Sequence, residues 1–189
     1  KEISLPYSSW VWGLASEKSV AITSSDRGTY YVIDLNTGNL IRRLEKHNGS
    51  TYRCALKNNI ALTSSWDNTA KIWDVNTGRL RNTLKGHTYA VYSAAIISND
   101  KMLTGSSDAT IKVWNRSGKC LRTIKGHLDE IFHIACENGI VVSASADKTT
   151  RAFEIETGKP LAVFTGHKDQ VLTVQIKNGI IFSGSLDHT

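Results

Sequence analysis

The chain has 189 residues, of which 40% are hydrophobic and 21% charged, and it carries a formal net charge of +6. That length suits one globular domain with a sizeable core, and no run approaches the ~18 apolar residues of a membrane span. The moderate positive charge allows an acidic partner without demanding one. Cys54, Cys120 and Cys136 are odd in number and lack CxxC spacing, which reads as reduced thiols in an intracellular protein, cytoplasmic or nuclear. Lys1-Glu2-Ile3-Ser4 lacks the apolar segment of a secretory leader, and with no initiator Met, residue 1 reads as an internal or processed start.

In chain order, residues 1–7 read as a polar outer strand, followed by repeats at 8–47, 48–87, 88–127, 128–167 and half a unit at 168–189. His47, His87, His127 and His167 stand at steps of 40, as do Gly38, Gly78, Gly118 and Gly158. Asp26, Asp67, Asp108, Asp147 and Asp187 follow at steps of 41, 41, 39 and 40. The first full unit is the most divergent, with an extra residue at Asp26-Arg27-Gly28 and Ile33 where later units carry an aromatic.

Each unit predicts four strands. The first, such as 171–176, leads to Asn178-Gly179, a pair that tolerates the positive φ of a tight type I′ hairpin. Asn138-Gly139 does the same, with Asn58-Asn59 and Asn99-Asp100 as weaker versions. The second is a continuous apolar run, such as Ile140-Val141-Val142, which implies a strand covered on both faces. The third ends at Trp73, Trp114 or Phe153. The fourth is polar and basic (Arg42 and Arg43; Arg79, Arg81 and Lys85; Lys119, Arg122 and Lys125), as befits an exposed sheet edge.

Trp73-Asp74, with Trp114-Asn115, Phe153-Glu154 and Ile33-Asp34 as degraded copies, pairs in each unit with Gly86-His87, Gly126-His127, Gly166-His167 or Lys46-His47. This pattern resembles the WD-repeat β-propeller family, in a style similar to F-box/WD-repeat proteins. The resemblance implies an all-β propeller of four-stranded antiparallel blades, about four full blades plus a partial one, spanning 1–189 as an incomplete ring. It further implies either a piece of a larger propeller or a ring completed by another chain.

Every good unit holds a Ser, an Asp, a His and an aromatic, a set that taken once could pass for a nucleophilic triad. An active site is built once, and these sets recur: His47, Ser65, Asp67 and Trp73; His87, Ser106, Asp108 and Trp114; His127, Ser145 and Asp147; His167, Ser185 and Asp187. The resemblance implies a structural hydrogen-bond relay from Trp through Ser and Asp to His, and no catalytic residue. His133 and Cys136, three apart on a strand, are poor joint metal ligands, and the GxxxxGK[ST] phosphate loop does not occur; no metal or cofactor is expected.

The second residue of each first strand reads Trp12, Tyr52, Tyr92, Phe132 and Leu172. The resemblance places this position, the pre-Asp residues such as Trp66, and the residue two before the aromatic, such as Trp10, at one end of a central channel. Trp10, Trp12, Tyr52, Trp66, Tyr92 and Phe132 would then form an aromatic docking surface for a protein or peptide. The slots where phosphopeptide-binding relatives place Arg are aromatic or small here. The expected function is a non-catalytic interaction scaffold, a substrate receptor or assembly subunit of a larger complex, with no membrane association. The alternative is an RNA- or DNA-associated subunit that uses the basic rim, in keeping with a pI near 9.3.

Overall fold

The computed structural model describes residues 11–25, 28–44 and 47–189. Trp10, the outer strand expected over 1–7 and the turn residues Asp26 and Arg27 lie outside the described residues. Among the described residues all regular structure is β. The first sheet is β1 (Leu14–Glu17), β2 (Val20–Ser24), β3 (Tyr30–Asp34) and β4 (Leu40–Leu44). The second is β5 (Thr51–Lys57), β6 (Ile60–Ser65), β7 (Thr69–Asp74) and β8 (Leu80–Lys85). The third is β9 (Val91–Ser98), β10 (Lys101–Ser106), β11 (Thr110–Asn115) and β12 (Cys120–Lys125). The fourth is β13 (Ile131–Glu137), β14 (Ile140–Ser145), β15 (Thr150–Glu154) and β16 (Pro160–Phe164), and β17 (Val171–Lys177) pairs with β18 (Ile180–Ser185).

Each sheet is an antiparallel meander in sequence order, and the first strands β1, β5, β9, β13 and β17 lie against one another in succession. This is the blade arrangement of a β-propeller, with the first strands innermost. The turns explain the hairpins. Asn58 and Asn59 (φ 50° and 60°), Asn138 and Gly139 (48° and 79°), and Asn178 and Gly179 (53° and 75°) all take the left-handed conformation a type I′ turn needs. Asn99-Asp100 departs from this expectation. Neither residue has positive φ, and the ladder there shifts register, with Lys101 opposite Ser98 and Met102 opposite Ile96.

The apolar core lies between the blades. Ile22, Val32 and Leu44 of the first blade meet Ala61 and Trp73 of the second. Ile72 and Leu84 meet Met102 and Trp114 of the third, and Ile111 and Ile124 meet Val141 and Phe153 of the fourth. The second strands show the consequence. β6 is buried throughout and β10 and β14 nearly so, each enclosed by sheets on both sides, whereas β18, with a sheet against one side only, leaves Phe182 59% exposed. The Gly-His glycines allow the close approach of the rings. A Cβ on Gly126 would sit 2.9 Å from two Phe153 ring carbons, and one on Gly86 3.3 Å from Trp114.

One local strain is testable. Ala109 holds φ 62° in the turn where the second blade has Asn68 at 64°. Left-handed backbone is costly for Ala and tolerated by Asn. Ala109→Asn is expected to raise stability by about 0.5–1 kcal/mol, read as a higher urea midpoint with an unchanged slope.

Candidate functional site

Two constructions recur along the chain: a buried polar relay, and a bulge that carries an aromatic or apolar side chain. In the second blade Trp73 Nε1–H donates to Thr63 Oγ1 (2.9 Å), and Thr63 Oγ1 lies 2.9 Å from His47 Nε2. His47 Nδ1 lies 2.9 Å from Asp67 Oδ2. A carboxylate only accepts, so Nδ1 carries the proton, Nε2 accepts, and the Thr63 hydroxyl donates to it. Asp67 is filled on both oxygens, by Asn48 N–H (3.0 Å) on Oδ2 and by Thr69 N–H (3.0 Å) and Thr69 Oγ1–H (2.6 Å) on Oδ1. The third blade repeats the chain through Trp114, Thr104, His87 and Asp108, with all three links at 2.7 Å.

The order is therefore Trp–Thr–His–Asp, which corrects the expected Trp–Ser–Asp–His. Trp73 faces Ala61 across the ladder, so Thr63 is its diagonal neighbour and within reach of the indole, while Ser65 lies a further two residues along β6. Ser65 instead donates to the Ser50 carbonyl (3.0 Å) and accepts Asp67 N–H (3.1 Å). Ser106 bonds the Tyr89 carbonyl, Ser145 that of Asp129 and Ser185 that of Asp169, and each accepts the backbone N–H of its turn aspartate. These serines brace the turn against the loop before the first strand. The hydroxyls at Thr63, Thr104, Ser143 and Ser183 recur at nearly the blade period, a signal that was open to sequence reading.

In the fourth blade His127 joins Asp147 (2.7 Å) and Ser143 (2.8 Å), and His167 joins Asp187 (3.0 Å) and Ser183 (2.9 Å). Phe153 offers no donor to Ser143. In the first blade Ile33 fills the Trp slot, and Thr23 Oγ1, the counterpart of Thr63, is buried without a hydrogen-bond partner among the described residues. Burial lowers the pKa of His47, His87 and His127 despite the aspartate bonds, which keeps them neutral. Burial would raise Asp67 and Asp108, but the bonds from His and Thr outweigh it and hold both well below the usual carboxylate range.

The second construction is a β-bulge at the start of β5, β9, β13 and β17. Ser106 pairs with Val91 and Gly105 with Ser93, so Tyr92 is left outside the ladder. Phe132 and Leu172 are bypassed in the same way, and in β5 the same one-residue shift falls between Thr51 and Cys54, with Tyr52 and Arg53 opposite Ser64. A bulge re-aims its side chain. Here the released residues line one cavity of about 310 Å³ formed by Trp12, Tyr52, Arg53, Tyr92, Phe132 and Leu172. Ring centroids step round it: Trp12–Tyr52 6.1 Å, Tyr52–Tyr92 4.9 Å and Tyr92–Phe132 5.7 Å, with Trp66 5.8 Å from Tyr52. Trp12 and Trp66 remain 54% and 53% exposed. The structure thus brings together Trp12, Tyr52, Trp66, Tyr92 and Phe132. Arg53, which breaks the repeat, is the residue that sequence reading missed.

The outer rim is less free than its composition suggests. Arg81 pairs with Asp74. Arg43 donates to Thr29 Oγ1 (3.3 Å), and the stems of Arg42 and Arg122 cover Gly78 and Gly158 of the next blade. Among the described residues no group of three His, Cys, Asp or Glu could hold a metal, and no helix is long and apolar enough to cross a membrane.

Comparison with known proteins agrees with this geometry. The family model described as WD domain, G-beta repeat matches residues 38–74, 78–115, 118–154 and 158–189. The WD40 β-propeller domain of Doa1 superposes with a TM-score of 0.83 at 27% identity, over 92% of this chain and 61% of that one, so the chain spans about three fifths of that domain. The computationally designed Ika4 protein gives 0.75 at 32% identity, over 82% of this chain and 98% of that one. No curated protein matches the sequence.

The relay predicts two outcomes. Asp108→Ala strips acceptors from His87, Thr88 and Thr110 and is expected to cost about 2–4 kcal/mol, against about 1 for Ser106→Ala, as measured by chemical denaturation. Stability is also expected to fall with acid in two stages. Below about pH 6.5 the unfolded chain protonates histidines that the folded chain keeps neutral, and below about pH 4 it protonates aspartates that the folded chain keeps charged. Both groups bind more protons unfolded, so both contributions are present at pH 7 and lost as pH falls. A denaturation midpoint that stays flat from pH 7 to 3 would contradict the relay.

Proposed function

The chain belongs to the WD domain, G-beta repeat family, and from that premise we propose that it docks a protein or peptide on the aromatic end of its channel. Propellers of this family are generally non-catalytic interaction scaffolds that bind proteins within complexes. The observation that carries the finer reading is the set of bulge-borne rings round a cavity of about 310 Å³. Rings that are rigid and partly exposed bury large area at small entropic cost, and a few of them dominate an interface. The partner's segment lies across Trp12, Tyr52, Trp66, Tyr92 and Phe132, and the chain serves as a subunit of a larger assembly.

The relay supports no enzymatic reading, since its histidines are filled on both nitrogens and repeat from blade to blade. The basic rim supports a nucleic-acid reading less well than its charge alone implied, because Arg81 is paired and Arg42 packs between blades. The three unpaired cysteines fit an intracellular setting.

Paired variants test the choice of surface. Tyr92→Ala with Trp66→Ala is expected to lose the partner retained by the unaltered chain while its thermal melt persists. Arg79→Glu with Arg81→Glu is expected to retain it. Retention by the aromatic variant and loss by the rim variant would move the site to the rim and favour nucleic acid.

A further inference from the structure

We infer that the channel mouth recognises an acidic residue of the partner peptide, with its carboxylate on the Arg53 guanidinium and its stem between the rings of Tyr52, Tyr92 and Phe132. This deepens the docking reading and rests on it.

Arg53 stands beside Tyr52 in the bulged stretch of β5 and lines the cavity with it. Its backbone is fixed: the Arg53 carbonyl accepts Ser64 Oγ–H (2.8 Å) and the Tyr30 hydroxyl (3.2 Å), one from its own blade and one from the blade before. The guanidinium itself has no such support. Among the described residues no carboxylate forms an ion pair with it. Burial lowers its pKa, opposed only by Cys54, yet a guanidinium stays charged at any working pH. A charge half-buried among aromatic rings and left unpaired is costly, and an incoming carboxylate removes that cost while forming bidentate, charge-assisted bonds.

The charge available selects a monoanion. His133, close enough for the Arg53 charge to lower its pKa, is neutral. Its Nδ1 accepts Val174 N–H (3.2 Å) and lies 3.0 Å from Thr173 Oγ1, so the proton sits on Nε2. Burial first, and then the charge of Arg53, pushes its pKa down to about 3. Arg53 is the one basic side chain among the described residues that line the cavity, and one positive charge suits a carboxylate, whereas a phosphate dianion calls for more cations. Glu130 gives the site a direction. Its carboxylate, held by Ser107 Oγ–H (2.5 Å), lies near enough to raise the pKa of Tyr52 and Tyr92, after burial as the main cause. The partner's acid is thereby repelled from that rim and steered to the Arg53 side.

The test is selection of random heptapeptides displayed on phage against the full chain. The selected peptide is then synthesised with its acidic residue as Glu, Gln or phosphoserine. The expected result is one enriched Asp or Glu beside apolar residues, with binding about tenfold or more weaker for Gln. Arg53→Met should erase the Glu–Gln difference, Arg53→Lys should restore part of it, and Glu130→Gln should tighten the Glu peptide. In the unaltered chain the Arg53 side-chain N–H resonance should shift with the Glu peptide and not with Gln, a readout that stands even if the Arg53 variants unfold. Absence of an enriched acid, equal binding of Glu and Gln, discrimination that survives in Arg53→Met, or tighter binding of phosphoserine would each overturn the inference. Selected peptides that lack an acid yet are lost in Tyr92→Ala with Trp66→Ala would leave the docking surface standing and remove only its preference for a carboxylate.

Discussion

A single blade cannot bury its own two apolar faces, and every other feature of the chain depends on that constraint. Each sheet leaves an apolar layer that only the next sheet can cover, so the large buried side chains Trp73, Trp114 and Phe153 sit at blade interfaces and not inside blades. Stability is then shared between neighbours. What aligns those neighbours is polar. The His–Asp link ties the loop entering a blade to the turn within it, and the Thr hydroxyl ties both to the indole in the core. In the first blade, where Ile33 replaces the indole, the Thr23 hydroxyl is buried without a hydrogen-bond partner among the described residues.

The same links place the aromatic mouth. The serine brace holds the loop that leads into β5, β9, β13 and β17, and the bulge that follows re-aims a side chain toward the channel mouth. A structural device thus becomes a presenting device. Because it repeats, it can deliver a ring from each of several blades to one cavity. Because one copy carries Arg53 beside its ring, a cation lines the cavity as well.

The period, the four-strand unit, the Asn-Gly hairpins and the buried second strands were legible in the sequence because each follows from local chemistry repeated in phase. The relay was legible in its members but not in its order. Ser65 and Thr63 lie on the same face of β6, and only the ladder register shows that Thr63 is diagonal to Trp73. The aromatic mouth was visible as a recurring ring, but the bulge that aims it has no residue signature here. Arg53 escaped notice because repeat reading finds what recurs, and Gly13, Ser93, His133 and Thr173 at the matching positions share nothing with it. The basic fourth strands were legible as an exposed edge, while the Arg81–Asp74 pair and the packing of the Arg42 and Arg122 stems on turn glycines are long-range facts.

The central claim is that a partner contacts the channel mouth and not the outer strands. Photo-crosslinking tests it most directly, with benzoylphenylalanine placed at Phe132 in one version of the chain and at Lys119 on the outer strand in another. The account predicts a crosslinked partner from position 132 and none from 119. Crosslinking from 119 alone would contradict it.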